Sequence, residues 1–162
     1  MSTAIELKKT PLNAAHRALN AKMVDFGGWD MPVQYPAGIL VEHAAVREKA
    51  GLFDVSHMGE FRVKGPEALR FLDWLTPNAV AKLADGQIHY TGFLMENGAF
   101  VDDLLIYRES ETEFLLVVNA GNIDKDFAWV TEKAKGFDVA VTNESDATGQ
   151  IVGRQPHLDQ PG

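Results

Sequence analysis

The sequence predicts an α+β fold: an antiparallel sheet meander with helices packed against it. Two observations carry this. Several segments repeat apolar residues at three- and four-residue spacing, the period of a helix buried on one side. Others repeat at two, with short breaks between them, the mark of strands joined by tight turns.

The first helix is expected in TPLNAAHRALNAK, with Thr10 as N-cap and Pro11 at the first helical position. MVDFGGWDMPVQYPAG follows, dense in Gly, Pro and aromatics. It shows neither period and reads as an ordered, non-regular loop with Gly27 and Gly28 as turn residues. ILVEHAAVREKAG predicts a second helix, with Ile39, Val46 and Ala50 along one side and Gly51 as a left-handed stop. The period then switches to two. Met58, Phe61 and Val63 mark a strand ended by Gly65. PEALRFLDWL is a short helix opened by Pro66, with Leu69, Phe71, Leu72 and Leu75 as its apolar side.

Three strands come next, IHYTGFLMEN, FVDDLLIYRE and EFLLVVNA, joined by short turns and therefore an antiparallel meander. NIDKDFAWVTEKAKG is a helix capped by Asn122 and stopped by Gly136, and FDVAVTNES is a further strand. ATGQIVGRQPHLDQPG begins like a strand and dissolves into Gln, Pro, His and Gly, with an end expected to fray.

The composition narrows the function. With 162 residues and 46 % hydrophobic content, the chain can bury a sizeable core as one domain or part of a larger protein. A net charge of −8 without a Lys/Arg cluster argues against a nucleic-acid partner. The absence of cysteine removes disulfides, thiolate metal sites and a Cys nucleophile. No apolar run approaches a membrane span and the N-terminus has no apolar signal core, so a cytoplasmic protein is expected, with no membrane partner.

His16, His43, His57, His89 and His157 are scattered without ligand spacing, so no metal site is expected. His57 reads as a histidine satisfied by hydrogen bonds. Ser56 lacks a G-x-S-x-G context, and the two glycines at 27 and 28 lack the spacing of a phosphate loop. Trp29, Tyr35, Trp74, Tyr90 and Tyr107 are candidate pocket aromatics. For Trp74 and Trp129, both on predicted helices, core packing is the better reading.

The informative stretch is AFVDDLLIYR, an apolar strand holding two adjacent carboxylates. Successive strand side chains face opposite ways. Alternation puts Val101, Asp103, Leu105 and Tyr107 on one face and Asp102, Leu104 and Ile106 on the other. The partner strand offers Leu115, Val117 and Asn119 on one face. An apolar face with a few convergent polar groups suits a small-molecule pocket. The competing reading is an edge-strand acid that discourages aggregation.

Four ordered blocks, KMVDFGGWDMPVQY, EHAAVREKAGLFDVSHMGEFRVKGP, NGAFVDDLLIY and LLVVNAGNIDKDFAWV, resemble the aminomethyltransferases (T-proteins) of the glycine cleavage system. The likeness runs from about Thr10 to Gln150. It is closer than the likeness to the folate-binding domains of dimethylglycine and sarcosine dehydrogenases.

The resemblance implies a folate-binding aminomethyltransferase region over residues 1–150 and a divergent tail over 151–162. It implies transfer of the methylene carbon from the aminomethyl-lipoyl arm of the H-protein to tetrahydrofolate, with release of ammonia. Tetrahydrofolate is then a co-substrate and the lipoylated H-protein a partner. It assigns Asp103 to face the folate nitrogens and leaves Asp102 as the structural member. Folate contacts are implied at Met58, Tyr90, Leu105, Tyr107, Val117 and Asn119.

Members of that family are longer. The resemblance therefore implies an N-terminal portion, lacking the C-terminal β-barrel and stopping short or shifting frame after the SDATGQI block. A non-catalytic folate-binding or scaffold protein and an inert fragment are the alternatives.

Overall fold

The computed structural model describes residues 6–154. It divides into two compact units. One takes the chain up to His57 together with the residues from Gly149, and the other is Met58–Thr148.

The first unit opens with α1, Asn13–Ala18. Its N-cap is Leu12, and Thr10 instead donates its hydroxyl to Asp54 Oδ2 at 2.6 Å. The expected loop is a hairpin: β1, Lys22–Phe26, pairs antiparallel with β2, Trp29–Gln34. Gly27 and Gly28 form its two-residue turn with φ of 60° and 87°, a conformation that suits glycine and matches strand twist. Pro32 hides the strand in the sequence. It is tolerated because this ribbon has only two strands, with a register shift beside the Met23–Pro32 pair.

α2, Ile39–Glu48, follows. Gly51 is not its left-handed stop; the helix ends at Lys49 and Gly51 opens β3, Gly51–Asp54. β3 pairs antiparallel with Ile151–Arg154, the last strand among the described residues. The strand-like start expected there is thus present, whereas the fraying expected beyond it lies outside the described residues. Ile39, Leu40, Val41, Leu52 and Phe53 stay exposed in this unit.

The second unit is built on a five-stranded antiparallel sheet. Its strands are β4 (Gly59–Lys64), β5 (Ile88–Leu94), β6 (Phe100–Arg108), β7 (Glu113–Val118) and β8 (Ala140–Asn143). Their spatial order is β5-β6-β7-β4-β8, so the predicted meander β5-β6-β7 is present. The core face is the uninterrupted apolar set of each strand: Phe61 and Val63, Phe93, Leu104 and Ile106, then Phe114, Leu116 and Val118. Each such side chain contributes about 1.5–3 kcal/mol on burial.

α3, Ala68–Leu75, adds Ala68, Phe71, Leu72 and Leu75 to this core. Trp74, expected in the core, lies off that i, i+3, i+4, i+7 stripe and is 59 % exposed, its ring against Phe137. α4, Ile123–Lys133, contributes Val130 and brings the half-buried Trp129 against the core. Asn122 stands at its N-cap position without a capping bond; its Nδ2 donates to Asp102 Oδ2.

Candidate functional site

The sheet face opposite the core carries the predicted residues. Pairing in an antiparallel sheet puts directly opposed residues on the same face. One row runs Glu60, Val117, Leu105 and Tyr90 across β4, β7, β6 and β5. The next runs Arg62, Leu115, Tyr107 and Ile88. Beyond the first row, Asp103 stands opposite Gly92, with Asn119 immediately after β7. Met58 precedes β4 by one residue and is half-buried. Tyr90, Asp103, Leu105, Tyr107, Val117 and Asn119 therefore share one face, whereas Met58 sits at its margin.

The Asp103 carboxylate is held at both oxygens. The exposed Tyr90 hydroxyl donates to Oδ2, and Asn119 Nδ2 donates to Oδ1 at 2.8 Å. The bond to Asp103 holds the Tyr90 phenol proton above its ordinary range, with burial and the two carboxylates acting the same way. Such a carboxylate keeps lone pairs free to accept further N–H groups. Beside it, Leu105, Tyr107 and the buried Val117 give a mainly apolar surface.

Asp102 faces the other way, as alternation predicts. Its Oδ2 accepts from Asn122 Nδ2 at 2.8 Å, and its Oδ1 from the Asp103 N–H at 2.9 Å and from Asn119 Nδ2 at 3.2 Å. Alternation fails one residue earlier. Phe93 pairs with Asp102 but Leu94 pairs with Phe100, so Val101 is an extra residue in β6. Val101 packs against the core instead of sharing the Asp103 face. Phe100 takes that face, where its ring fills the space a Cβ on Gly92 would need, 2.5 Å away. No sequence signal marks this bulge, so Phe100 is a wall residue that alternation misses.

Two other buried acids escape sequence reading. Glu60 is fully buried, neither carboxyl oxygen has a hydrogen-bond partner among the described residues, and burial pushes it up to about 7. Asp126 on α4 is in the same condition.

The remaining candidates lie in the first unit. The His57 ring packs edge-on to Phe26 and Trp29, at centroid distances of 5.6 and 6.5 Å. Its Nδ1 is buried without a partner among the described residues, contrary to the expected hydrogen bonding, and burial lowers its basicity despite nearby Asp54. Ser56 exchanges two hydrogen bonds with the backbone of Gln150, a structural role. Tyr35 meets His16 Nδ1 at 2.7 Å, and His16 Nε2 meets Asp54 Oδ2 at 2.9 Å. Burial would raise Asp54, but bonds from Thr10, His16 and Ser56 outweigh it and hold the carboxyl at about 2. A cavity of about 780 Å³ adjoins these groups; Asp103 does not line it, and its walls come from α1, β2, α2, β3 and the Ile151–Arg154 strand. We therefore place the candidate chemistry at Asp103, where donors converge, and not at this cavity.

The model of the GCVT N-terminal domain matches residues 12–153. The chain belongs to this family. Among GCVT relatives, it is 54 % identical to an aminomethyltransferase of Desulfitobacterium hafniense, over 96 % of this chain and 42 % of that protein. It is 53 % identical to one of Deinococcus deserti, over 94 % and 45 % respectively. The crystal structure of the glycine cleavage system aminomethyltransferase T from Bartonella henselae superposes with a TM-score of 0.86 at 41 % identity. That match covers 93 % of this chain and 41 % of the Bartonella chain, and it bears out the α+β T-protein fold class. The chain thus spans less than half the length of the GCVT relatives it matches.

Proposed function

We propose that this chain supplies a tetrahydrofolate-binding wall of a glycine cleavage aminomethyltransferase acting in the cytoplasm. The reaction passes the methylene carbon of the aminomethyl-lipoyl group of the H-protein to tetrahydrofolate and releases ammonia. The observation that carries the reading is the Asp103 carboxylate. It is fixed by Tyr90 and Asn119 beside an apolar surface of Leu105, Tyr107 and Val117.

A fixed acceptor beside an apolar surface fits a reduced pterin, whose ring has an apolar face and an N–H-bearing edge. Tetrahydrofolate, when bound, supplies the nitrogens that receive the one-carbon unit. Leu105, Val117 and Tyr107 would pack against the ring, and Phe100 and Met58 would close its margins. Asp103 would accept a hydrogen bond from a ring N–H, orient that nitrogen and stabilise developing positive charge. Tyr90 and Asn119 would hold the carboxylate so that it need not reorganise. The proposed site uses no metal, nucleic acid or membrane.

Titration calorimetry with tetrahydrofolate, and ammonia release with aminomethylated H-protein, test this. Asp103→Asn should keep the fold and lower turnover about a hundred-fold. Near-normal turnover in that variant refutes the role of Asp103. Folate binding without ammonia release favours a binding-only protein, and absence of binding refutes both.

A further inference from the structure

We propose that Asp126 is a positioning residue for Asp103: it holds the single proton of a carboxyl pair with Asp102 and, through Asn119, keeps the Asp103 carboxylate in place. The inference rests on the folate-facing role of Asp103.

Asp126 is fully buried in α4, one helical turn beyond Asn122, whose side-chain amide donates to Asp102 Oδ2 at 2.8 Å. No N–H or O–H of the described residues donates to either of its oxygens. Two carboxylates facing one another are acceptor against acceptor. They form a bond only when one of them carries a proton, and buried like charges at that separation do not both ionise.

The partners decide which acid holds the proton. Asp102 already takes hydrogen bonds from Asn122, Asn119 and the Asp103 N–H, which stabilise its anion. Asp126 takes none, so it is the protonated donor and Asp102 the acceptor. Lys125 Nζ lies 3.2 Å from Asp126 Oδ1, but it is misaligned for a hydrogen bond and donates to the Val101 carbonyl instead. Of the other elements packed on α4, β8 and the 3₁₀ turn Ala120–Asn122 carry no ionisable side chain, and β4, whose Phe61 packs on Phe127, turns Glu60, Arg62 and Lys64 to its opposite face. Burial, with the Asp102 contact added and Lys125 opposing, pushes Asp126 up to about 7. Asp102 stays below the usual carboxylate range, because burial, which would raise it, is outweighed by the Asp126 contact and its other donors.

The pair reaches the site through one atom. Asn119 Nδ2 is shared between Asp102 Oδ1 at 3.2 Å and Asp103 Oδ1 at 2.8 Å. When Asp126 ionises, two negative charges oppose each other beneath Asn119, and the amide that steadies Asp103 is drawn out of place.

Two measurements on the full chain test this. One is a carbon-detected NMR titration of the Asp carboxyls; the other is tetrahydrofolate affinity by calorimetry from pH 5.5 to 8.5. Asp126 should titrate near neutrality while Asp102 remains ionised. Wild-type affinity should fall about five-fold as pH rises through that range, the scale of one disturbed hydrogen bond. Asp126→Asn, whose amide donates at every pH, should hold the low-pH affinity throughout. Asp126→Ala should be weaker at all pH values. The ligand's own titration is common to every variant and cancels in the comparison.

An unchanged pH profile in Asp126→Asn, or titration of Asp126 in the ordinary carboxylate range, overturns the inference. If Asp126→Asn does not fold, the wild-type carboxyl titration decides it alone. If the wild type binds no tetrahydrofolate, the folate reading fails and the positioning role with it, while the titration still reports whether the pair shares a proton.

Discussion

Glu60→Gln should make the protein's stability markedly less dependent on pH. Glu60 is buried to 0 % exposure and its carboxyl is raised from 4.5 to about 7 by that burial. The folded state therefore holds this proton more tightly than the unfolded chain. The stability it confers is complete below pH 4.5, declines as pH rises through about 7, and is lost above. A rise of 4.5 to about 7 corresponds to about 3 kcal/mol. Glutamine keeps the shape and the unpartnered polar character but carries no proton equilibrium. Urea unfolding of both proteins should be followed by circular dichroism at pH 4.5, 6, 7 and 8. The stability of Glu60→Gln relative to wild type should improve by about 3 kcal/mol between the ends of that series. Taking the difference between the two proteins cancels every other titrating group, Asp126 included. A difference constant across the series to within about 0.5 kcal/mol, the usual scatter of such comparisons, would show that the Glu60 carboxyl is solvated or paired.

Asp54→Asn should destabilise the first unit by about 2–3 kcal/mol at neutral pH, since the native carboxyl is held at about 2 by three donors. In the wild type that contribution is present above the ordinary pKa of 3.8 and vanishes as pH falls through about 2, which acid unfolding monitored by fluorescence would follow. Gly92→Ala should push the Phe100 ring off the sheet, because the new Cβ falls 2.5 Å from it. The ring is exposed and free to swing, so a stability loss of only about 1 kcal/mol is expected together with weaker tetrahydrofolate binding. Unchanged affinity would remove Phe100 from the wall.

Much of the second unit is readable from the sequence, because its core is written without interruption. Phe114, Leu116 and Val118, like Leu104 and Ile106, keep strict alternation and are buried on one face. The same alternation separates Asp102 from Asp103 correctly. It fails where structure departs from period: at Val101, whose bulge nothing in AFVDDLLIYR announces, and at the β1–β2 hairpin, where Pro32 masks a strand. Trp74 misleads because helical membership says less than position on the stripe. Asp126 is illegible for another reason. An acid in the first turns of a helix is expected on the surface facing the helix dipole. The fold buries it, with the neighbouring Lys125 of α4 reaching the Val101 carbonyl of β6. Glu60 hides likewise, since a charge alternating with Phe61 reads as the solvent side of a strand.

The bulge at Val101 also sets where this strand tolerates a change of length. Because Leu94 pairs with Phe100 and Phe93 with Asp102, the pairing on either side is already in phase without the residue between. Losing Val101 would cost a core contact yet leave Phe100 and Asp103 on the same side of the sheet. Losing any single residue from Asp103 to Tyr107 would turn over every side chain on one side of the gap. An insertion or deletion in an alignment of such proteins is thus neutral for the site at one position and fatal a few residues later, and chimeras spliced through AFVDDLLIYR should be joined at the bulge.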